Sequence, residues 1–452
     1  MKVRLHGAVL IIGLVLGLSR AESFGQTYIV VLKGGGSIGA VNKAHGTKTV
    51  RQIDGTPIYL VQTDILDIDG QVLQQLQNDR SVESAEPNAR VSLRSRSDAP
   101  LDPALVQQMA SLLDGQTLTT FYGCTVLQAY VNQPAVAITR VSEVRNLSTG
   151  AGTRIAYIDT GVDFQHPALA PWLDPGIDVL NDASASELDG LSQQMASLLD
   201  QQMASLLDQQ MASLLDNRFI FVLDQVMASL LDGETKNSGN FPADFGHGTL
   251  VAGVLHLVAP EARIVPIKAF NAYGQTTMFA ITEAVYRATQ MRVDVLNMSF
   301  STTQDSPAFR KALVDAHAAG IAVVASVGND ANNTVTYFPA AYPNVIGVAA
   351  TDFADRLASF SNYGRAVSVD APGAFVVSTV PGGRYAAAWG TSFSAPMVAG
   401  EIALLASLRG QGQSDTVLVV NTADPIDSLN PGYARMLGNG RINALQAMRY
   451  AN

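Results

Sequence analysis

From residue 153 onward, apolar strand-like runs alternate with segments of helical periodicity. The strand-like runs lie at 154–158, 263–267, 293–297, 320–326 and 345–350, and helical patterns occur near 248–257, 276–290 and 306–319. Because these runs are apolar almost throughout, we expect strands that are buried on both faces. The sequence therefore predicts an α/β fold, with a parallel sheet covered by helices on both faces and functional side chains at the carboxyl ends of its strands.

The composition suits a packed chain of more than one domain. The chain has 452 residues, of which 47% are hydrophobic and 15% charged. That is longer than one domain of about 150 residues and too weakly charged for a disordered chain. The chain has 39 acidic and 29 basic residues, and this acidic excess disfavours nucleic acid as a partner. Cys124 is the only cysteine, which excludes an intramolecular disulfide and a cysteine-based zinc site.

Residues 1–21 have the pattern of a secretory signal peptide. Lys2 and Arg4 precede an apolar run at 8–18, and the small residue Ala21 closes the segment. The run is too short for a membrane span, which needs about 20 residues. We expect cleavage after Ala21, export of the chain and no membrane span in the mature protein; the alternative is an uncleaved N-terminal anchor.

Residues 22–95 are predicted to form a small α+β unit of ferredoxin-like type. Strands are expected at 27–32, 58–62 and 89–93, and a helix at 70–79. A linker at 96–125 follows, and 126–452 form the large α/β domain.

A repeated octad, QQMASLLD, interrupts both parts of the chain. It occurs at 107–114, three times in tandem at 193–216, and with one change at 225–232. Each unit favours helix, but a period of eight moves the apolar stripe by about 80° per unit. Two interpretations remain open: a duplication tolerated in surface segments, or a helical module that binds a partner.

Four short motifs stand where predicted strands meet predicted helices. They are IDTGVD at 158–163, FGHGT at 245–249, SVGND at 326–330 and GTSFSAP at 390–396. Each motif alone is typical of a turn or a helix cap. Together they supply an aspartate, a histidine, an asparagine and a serine.

These side chains match the needs of nucleophilic catalysis. The hydroxyl of Ser392 needs a base to remove its proton, and His247 can serve near neutral pH. Asp159 can orient His247 and stabilise its charged form. Asn329 and the backbone N–H of Ser392 can donate to a developing oxyanion.

In this order, Asp, His, Asn and Ser, the chain resembles the subtilisin-like serine proteases, the subtilases. The resemblance covers about 125–450 and includes further segments: VLNMSF at 295–300, FPAAYPNVI at 338–346, SNYG at 361–364, APG at 371–373 and the stretch 438–447. Residues 27–95 resemble the inhibitory propeptide of these enzymes, and 82–88 resemble its terminal strand.

The resemblance implies a secreted serine endopeptidase that is made as a self-processing zymogen. Its partners would be polypeptide substrates and its own propeptide, with self-cleavage within 95–125. Substrate would lie extended beside 297–301, so Ser299, Phe300 and Ser301 are the expected binding residues. Phe300 and the small residues next to it further suggest an apolar or broad preference.

The sequence also departs from the family pattern. An insertion at about 183–236, which contains the tandem octads, lies between Asp159 and His247. Leu250 and Met397 replace common histidines, and Phe393 replaces the usual methionine.

The family's main calcium site is expected to be missing. Ala168 stands where many relatives have a ligating aspartate, and the usual calcium-binding loop after the helix of His247 is absent from the sequence. No metal is therefore predicted in the active site, whereas calcium elsewhere stays open.

Two other function classes fit the sequence less well. A catalytically impaired subtilase fold could serve as a binding or surface-interaction module, with the octads as the interaction element, but the complete set of four catalytic residue types argues against it. A lipase-type hydrolase is disfavoured, because no G-x-S-x-G stands at a strand-to-helix turn.

Overall fold

A computed structural model describes residues 26–64, 67, 69–93, 117–181, 244–333, 336–410 and 412–451. The chain divides into two compact units, Met1–Pro87 and Asn88–Asn452. The predicted signal peptide, all five octads and 96–116 of the predicted linker lie outside the described residues.

The first unit is a four-stranded antiparallel sheet with two helices. Its elements are β1 (Thr27–Leu32), α1 (Ile38–His45), β2 (Thr47–Gln52), β3 (Ile58–Thr63), α2 (Gln71–Asn78) and β4 (Val82–Pro87). The sheet order β2-β3-β1-β4 is that of the ferredoxin-like arrangement. Alternate residues of β1, among them Tyr28 and Val30, pack with Val41 of α1 and Leu76 of α2. This agrees with the predicted α+β unit.

The second unit contains the remaining strands and helices. Its strands are β5 (Arg90–Ser92), β6 (Leu118–Phe121), β7 (Cys124–Leu127), β8 (Arg154–Asp159), β9 (Ile177–Asp178), β10 (Arg263–Lys268), β11 (Gln275–Thr277), β12 (Val295–Met298), β13 (Ala322–Ser326), β14 (Val345–Thr351), β15 (Val369–Pro372), β16 (Val376–Val380) and β17 (Arg384–Ala388). Its helices are α3 (Gln128–Val131), α4 (Pro134–Ile138), α5 (Val141–Val144), α6 (His247–Val258), α7 (Met278–Gln290), α8 (Pro307–Ala318), α9 (Thr391–Arg409), α10 (Gly412–Asn421) and α11 (Ala444–Ala451).

Seven of these strands form one parallel sheet in the order β15-β14-β13-β12-β8-β10-β9. Strands β12, β13 and β14 are buried at every residue, as expected for strands covered on both faces. The prediction of a parallel α/β sheet is confirmed. Since β8 lies between β10 and β12, the carboxyl ends of these neighbouring strands share one edge, where ligands bind in such folds.

Two helix pairs pack against the sheet, α6 with α9 and α7 with α8. Helix α9 is long and apolar enough to cross a membrane by length and composition. However, 83% of its apolar window is buried. Packing in the core of the second unit therefore accounts for this composition.

Candidate active site

Asp159 is the last residue of β8 and is fully buried. Its Oδ1 accepts hydrogen bonds from the backbone N–H of Thr160, at 2.8 Å, and from Nδ1 of His247, at 2.7 Å. Because a carboxylate accepts, this contact assigns the ring proton to Nδ1 and leaves the lone pair on Nε2. His247 is thereby prepared to accept a proton at Nε2.

His247 is held against Asp159 by the way α6 begins. Its preceding residue, Gly246, has a φ of 90°, and α6 starts at His247 itself. A Cβ at position 248 would lie 2.0 Å from the carbonyl oxygen of Gly161, so only glycine permits this approach. The hydroxyl of Thr160 accepts from the N–H of Gly248 at 3.0 Å, which joins the loop after β8 to the first turn of α6.

Ser392 is the second residue of α9, and its hydroxyl donates to the carbonyl oxygen of Ser299 at 3.1 Å. A hydroxyl has a single proton, so Ser392 must rotate before it can donate to Nε2 of His247. The ring of Phe393 lies 5.7 Å, centroid to centroid, from that of His247. The residue that replaces the family's usual methionine therefore packs beside the candidate base.

Asn329 follows β13 and is 8% exposed. Its side-chain oxygen accepts from both the N–H and the hydroxyl of Thr391, each at 2.8 Å. These two bonds identify the oxygen end of the amide and leave its NH₂ end as the donor. Since Thr391 directly precedes Ser392, the same contacts tie Asn329 to the start of α9.

The predicted binding segment 299–301 turns its side chains in different directions. Ser299 is buried, and its hydroxyl donates to the carbonyl oxygen of Ser392 at 2.8 Å. Phe300 is 2% exposed, and its ring packs against Phe270 and Phe309. The aromatic ring is thus part of the core, and the apolar preference inferred from it lacks a structural basis. Ser301 is half-buried.

A second strand pair lies near the histidine loop. In the second unit, β5 runs antiparallel to β11, and the pair is extended by hydrogen bonds from Leu93 N to Gly274 O and from Met278 N to Ala89 O, both 2.8 Å. Gly274 in turn packs against Asp244, because a Cβ there would lie 2.3 Å from the Asp244 carboxylate. The residue just before β11 therefore contacts Asp244, which lies three residues before the start of α6.

Sequence reasoning singled out the four candidate catalytic residues but missed their immediate supports. Thr160 and Thr391 are neighbours of Asp159 and Ser392 in the motifs, and their hydroxyls join loops that are far apart in the sequence. The signal in the sequence was that each threonine stands next to a candidate catalytic residue. The hydrogen-bond partners of the two threonine hydroxyls lie on distant segments and could not be predicted without the fold.

Among the residues described, no group of three or more His, Cys, Asp or Glu side chains is arranged to hold a metal ion. Ala168, where relatives have a calcium ligand, is fully buried and offers no side-chain oxygen. The absence of the family's main calcium site stays a prediction. That no metal takes part in the chemistry stays a prediction.

The chain resembles known proteins over most of its second unit. Residues 150–440 match the Subtilase family. The thermophilic serine proteinase of Bacillus sp. (strain AK1) is 34% identical over 304 residues, which are 66% of this chain and 62% of that protein. Thermitase of Thermoactinomyces vulgaris is 30% identical over 315 residues, which are 68% of this chain and 91% of thermitase.

A solved structure supports the fold. Fervidolysin from Fervidobacterium pennivorans, described as a keratinolytic enzyme related to subtilisin, matches with a TM-score of 0.67 at 20% identity. The match covers 96% of this chain and 62% of the fervidolysin chain.

The chain belongs to the subtilase family, the subtilisin-like serine peptidases, which are hydrolases. The resemblance expected from the order of the motifs is confirmed. The matched region spans just under two thirds of the Bacillus proteinase.

Proposed function

We propose that this protein is a serine endopeptidase that hydrolyses polypeptides through Asp159, His247 and Ser392. The observation that carries the proposal is the 2.7 Å hydrogen bond from His247 Nδ1 to the buried carboxylate of Asp159, with the ring of Phe393, the residue after Ser392, 5.7 Å from the His247 ring. This arrangement gives the imidazole a fixed orientation and places its lone pair on Nε2. The rest of the chemistry follows from it.

In the proposed reaction, Ser392 turns from the Ser299 carbonyl towards His247 and attacks the scissile carbonyl carbon. His247 takes the hydroxyl proton and later gives it to the leaving amine, while Asp159 stabilises the imidazolium. The tetrahedral oxyanion accepts from the side-chain amide of Asn329 and from the N–H of Ser392. Water then repeats the sequence on the acyl-enzyme.

Substrate binding is proposed to use main-chain hydrogen bonds on both sides of an extended peptide. One side is the main chain of the segment 299–301. The side chains of Ser299 and Phe300 are buried, so these two residues are proposed to bind substrate through their backbone alone. The other is β11, which already pairs with β5 as an added strand. This mode fits a polypeptide substrate of broad sequence.

The first unit and residues 88–93 are proposed to form an inhibitory propeptide. In this proposal β5 occupies the place of a substrate strand on β11. The N–H of Phe279, at the start of α7, donates to the side-chain oxygen of Asn88 at 2.9 Å, which fixes the end of that strand. With the signal peptide at 1–21, this describes an exported precursor that removes its own propeptide.

Hydrolysis of a fluorescently labelled protein by the purified wild type, Ser392→Ala and Ser394→Ala tests the catalytic proposal. Ser394 is a matched control, since its buried hydroxyl has no hydrogen-bond partner among the described residues. We expect Ser392→Ala to lose activity by a factor on the order of 10⁶ and Ser394→Ala to retain it. Absence of activity in all three proteins would favour the binding-module alternative, and equal activity in all three would contradict Ser392 as the nucleophile.

Intact mass tests the precursor proposal separately. The wild type should be shorter than its exported chain by roughly the length of one small domain. Ser392→Ala should keep the propeptide. Retention of the propeptide by both proteins would contradict self-processing.

A further inference from the structure

The side chain of Asn362 contacts the backbone of the loop that carries Asn329 at three points. The Nδ2 of Asn362 donates to the carbonyl oxygen of Val327 at 2.9 Å. Its Oδ1 accepts from the N–H of Asp330 at 3.0 Å and from that of Asn332 at 2.9 Å. One buried amide thus contacts the backbone on both sides of Asn329.

The backbone of Asn362 adds a fourth contact, because its N–H donates to the carbonyl oxygen of Gly328 at 2.9 Å. Asn362 is fully buried. A Cβ at position 328 would lie 2.6 Å from the Asn362 amide nitrogen, so the two residues are in close contact. The loop therefore cannot move at its first residues without breaking hydrogen bonds inside the protein.

The shape of this loop is one that a free chain would rarely adopt. Gly328 has a φ of +101° and Ala331 a φ of +50°, and both are in the left-handed region. A non-glycine residue there is strained and needs surrounding structure to hold it. The bonds from Asn362 to Asp330 and Asn332 lie on either side of Ala331, where they oppose that strain.

We infer that Asn362 is a positioning residue for the oxyanion donor: by fixing the backbone before and after Asn329, it holds the Asn329 amide in place before substrate arrives. This rests on the proposed function, in which Asn329 stabilises the oxyanion. Thr391 holds the oxygen end of the Asn329 side chain, and Asn362 holds its main chain. A donor that needs no reorganisation at the moment of reaction contributes most to lowering the barrier.

The test is a double-mutant cycle on the processed enzyme, with kcat and KM measured on one fluorogenic peptide. The proteins are the wild type, Asn362→Ala, Asn329→Ala and the double variant. We expect Asn362→Ala to lower kcat by about tenfold or more with little change in KM, because only the transition state uses the donor. In the Asn329→Ala background the same substitution should lower kcat less than twofold.

Asn430→Ala is the matched control. Asn430 is 5% exposed, its Oδ1 accepts from Leu357 N, and its Nδ2 donates to the carbonyl oxygens of Asp355 and Ile426, all at 2.8–2.9 Å. It makes the same number of side-chain bonds to backbone as Asn362. We expect a similar loss of Tm and an unchanged kcat.

Asn362→Asp covers the case in which the alanine variant does not fold. It keeps an acceptor for the N–H groups of Asp330 and Asn332 but loses the donor to Val327. A lowered kcat that depends on Asn329 is again expected.

Equal falls in kcat with and without Asn329 would overturn the inference, as would a loss of Tm alone. If Asn329→Ala itself leaves kcat unchanged, the proposed oxyanion role fails, and the inference with it. If Ser392→Ala nevertheless abolishes activity in that case, the proposed roles of Asp159, His247 and Ser392 still hold.

Discussion

Ser299 and Ser392 exchange hydrogen bonds: the Ser299 hydroxyl donates to the Ser392 carbonyl oxygen at 2.8 Å, and the Ser392 hydroxyl donates to the Ser299 carbonyl oxygen at 3.1 Å. Asn297 donates to the Ser299 hydroxyl at 3.0 Å and orients it. The first bond fixes the main chain of the proposed nucleophile. The second bond engages the Ser392 hydroxyl, which has to leave the Ser299 carbonyl oxygen before it can donate to His247.

Replacement of Ser299 by alanine should lower kcat about fivefold or more, because one buried hydrogen bond to the nucleophile's backbone is lost, at a cost of about 1 kcal/mol. KM should change little, since the Ser299 main chain is untouched. Steady-state kinetics on a peptide substrate provides both values.

Ser148→Ala is the control for this substitution. The Ser148 hydroxyl donates to the carbonyl oxygen of Leu404 at 2.7 Å, in the same helix α9 but more than three turns beyond Ser392. It should cost similar stability and leave kcat unchanged. A fall in kcat equal to that of Ser299→Ala would contradict a local role for Ser299.

Replacement of Gly248 by alanine should abolish activity and destabilise the fold by about 1–3 kcal/mol, because the new methyl group meets the Gly161 carbonyl at 2.0 Å. The start of α6 would have to move away from Asp159. Gly432→Ala is the control, since a Cβ there meets nothing within 4 Å. Circular dichroism melts and peptide hydrolysis measure both effects, and an active Gly248→Ala would argue against the close approach.

Glu401 should make the fold less stable as pH rises. It is fully buried in α9, and burial raises its pKa to about 8, while Arg441 lowers the pKa and Asp424 raises it further. The unfolded chain ionises this carboxyl near its ordinary pKa of 4.5, whereas the folded chain keeps the proton to about 8. Unfolding therefore releases a proton in this window, and stability falls from about pH 4.5 to pH 8.

Glu401→Gln removes this titration. Both proteins are compared in the Ser392→Ala background, which prevents autolysis. The Tm of the glutamine variant should exceed that of the glutamate protein by an amount that grows from pH 5 to pH 8 and then levels off, which corresponds to about a few kcal/mol in the free energy of unfolding. Glu143→Gln, at an exposed carboxylate paired with Arg140, should show a constant difference over the same range. A constant difference for Glu401→Gln as well would refute the buried titration.

A peptide of residues 88–93 should inhibit the proposed processed enzyme competitively, because β5, at 90–92, pairs with β11 in the structure. Proline in place of Val91 removes an N–H from the middle of the ladder and should weaken inhibition at least tenfold. Inhibition constants at several substrate concentrations provide the comparison. Equal inhibition by both peptides would indicate that the strand pairing is not the binding mode.

Much of the fold could be predicted because its central strands are continuous apolar runs. The edge strands β9 and β15 were missed for physical reasons: β9 has two residues, and β15 contains Asp370 and ends at Pro372, which together indicate a loop. In the first unit, β2 was missed because it is an exposed edge strand of threonine, lysine and arginine.

The candidate site likewise contains residues that local motifs predict and contacts that only the tertiary fold determines. Motifs at strand–helix junctions predicted Asp159, His247 and Ser392 as candidate catalytic residues, because their chemistry is local to short segments. The burial of the Phe300 ring and the contacts of Asn362 depend on which distant segments pack together. Such contacts have no local signature, so the sequence indicated only that SNYG at 361–364 resembles a family loop.

Covalent labelling with a fluorophosphonate measures whether His247 activates Ser392 as a nucleophile. The purified wild type should gain one label, with fluoride lost as the serine oxygen bonds to phosphorus, and peptide mapping should place it on Ser392. His247→Ala should label at least a hundredfold more slowly. Labelling at another residue, or an equal rate in His247→Ala, would contradict the account.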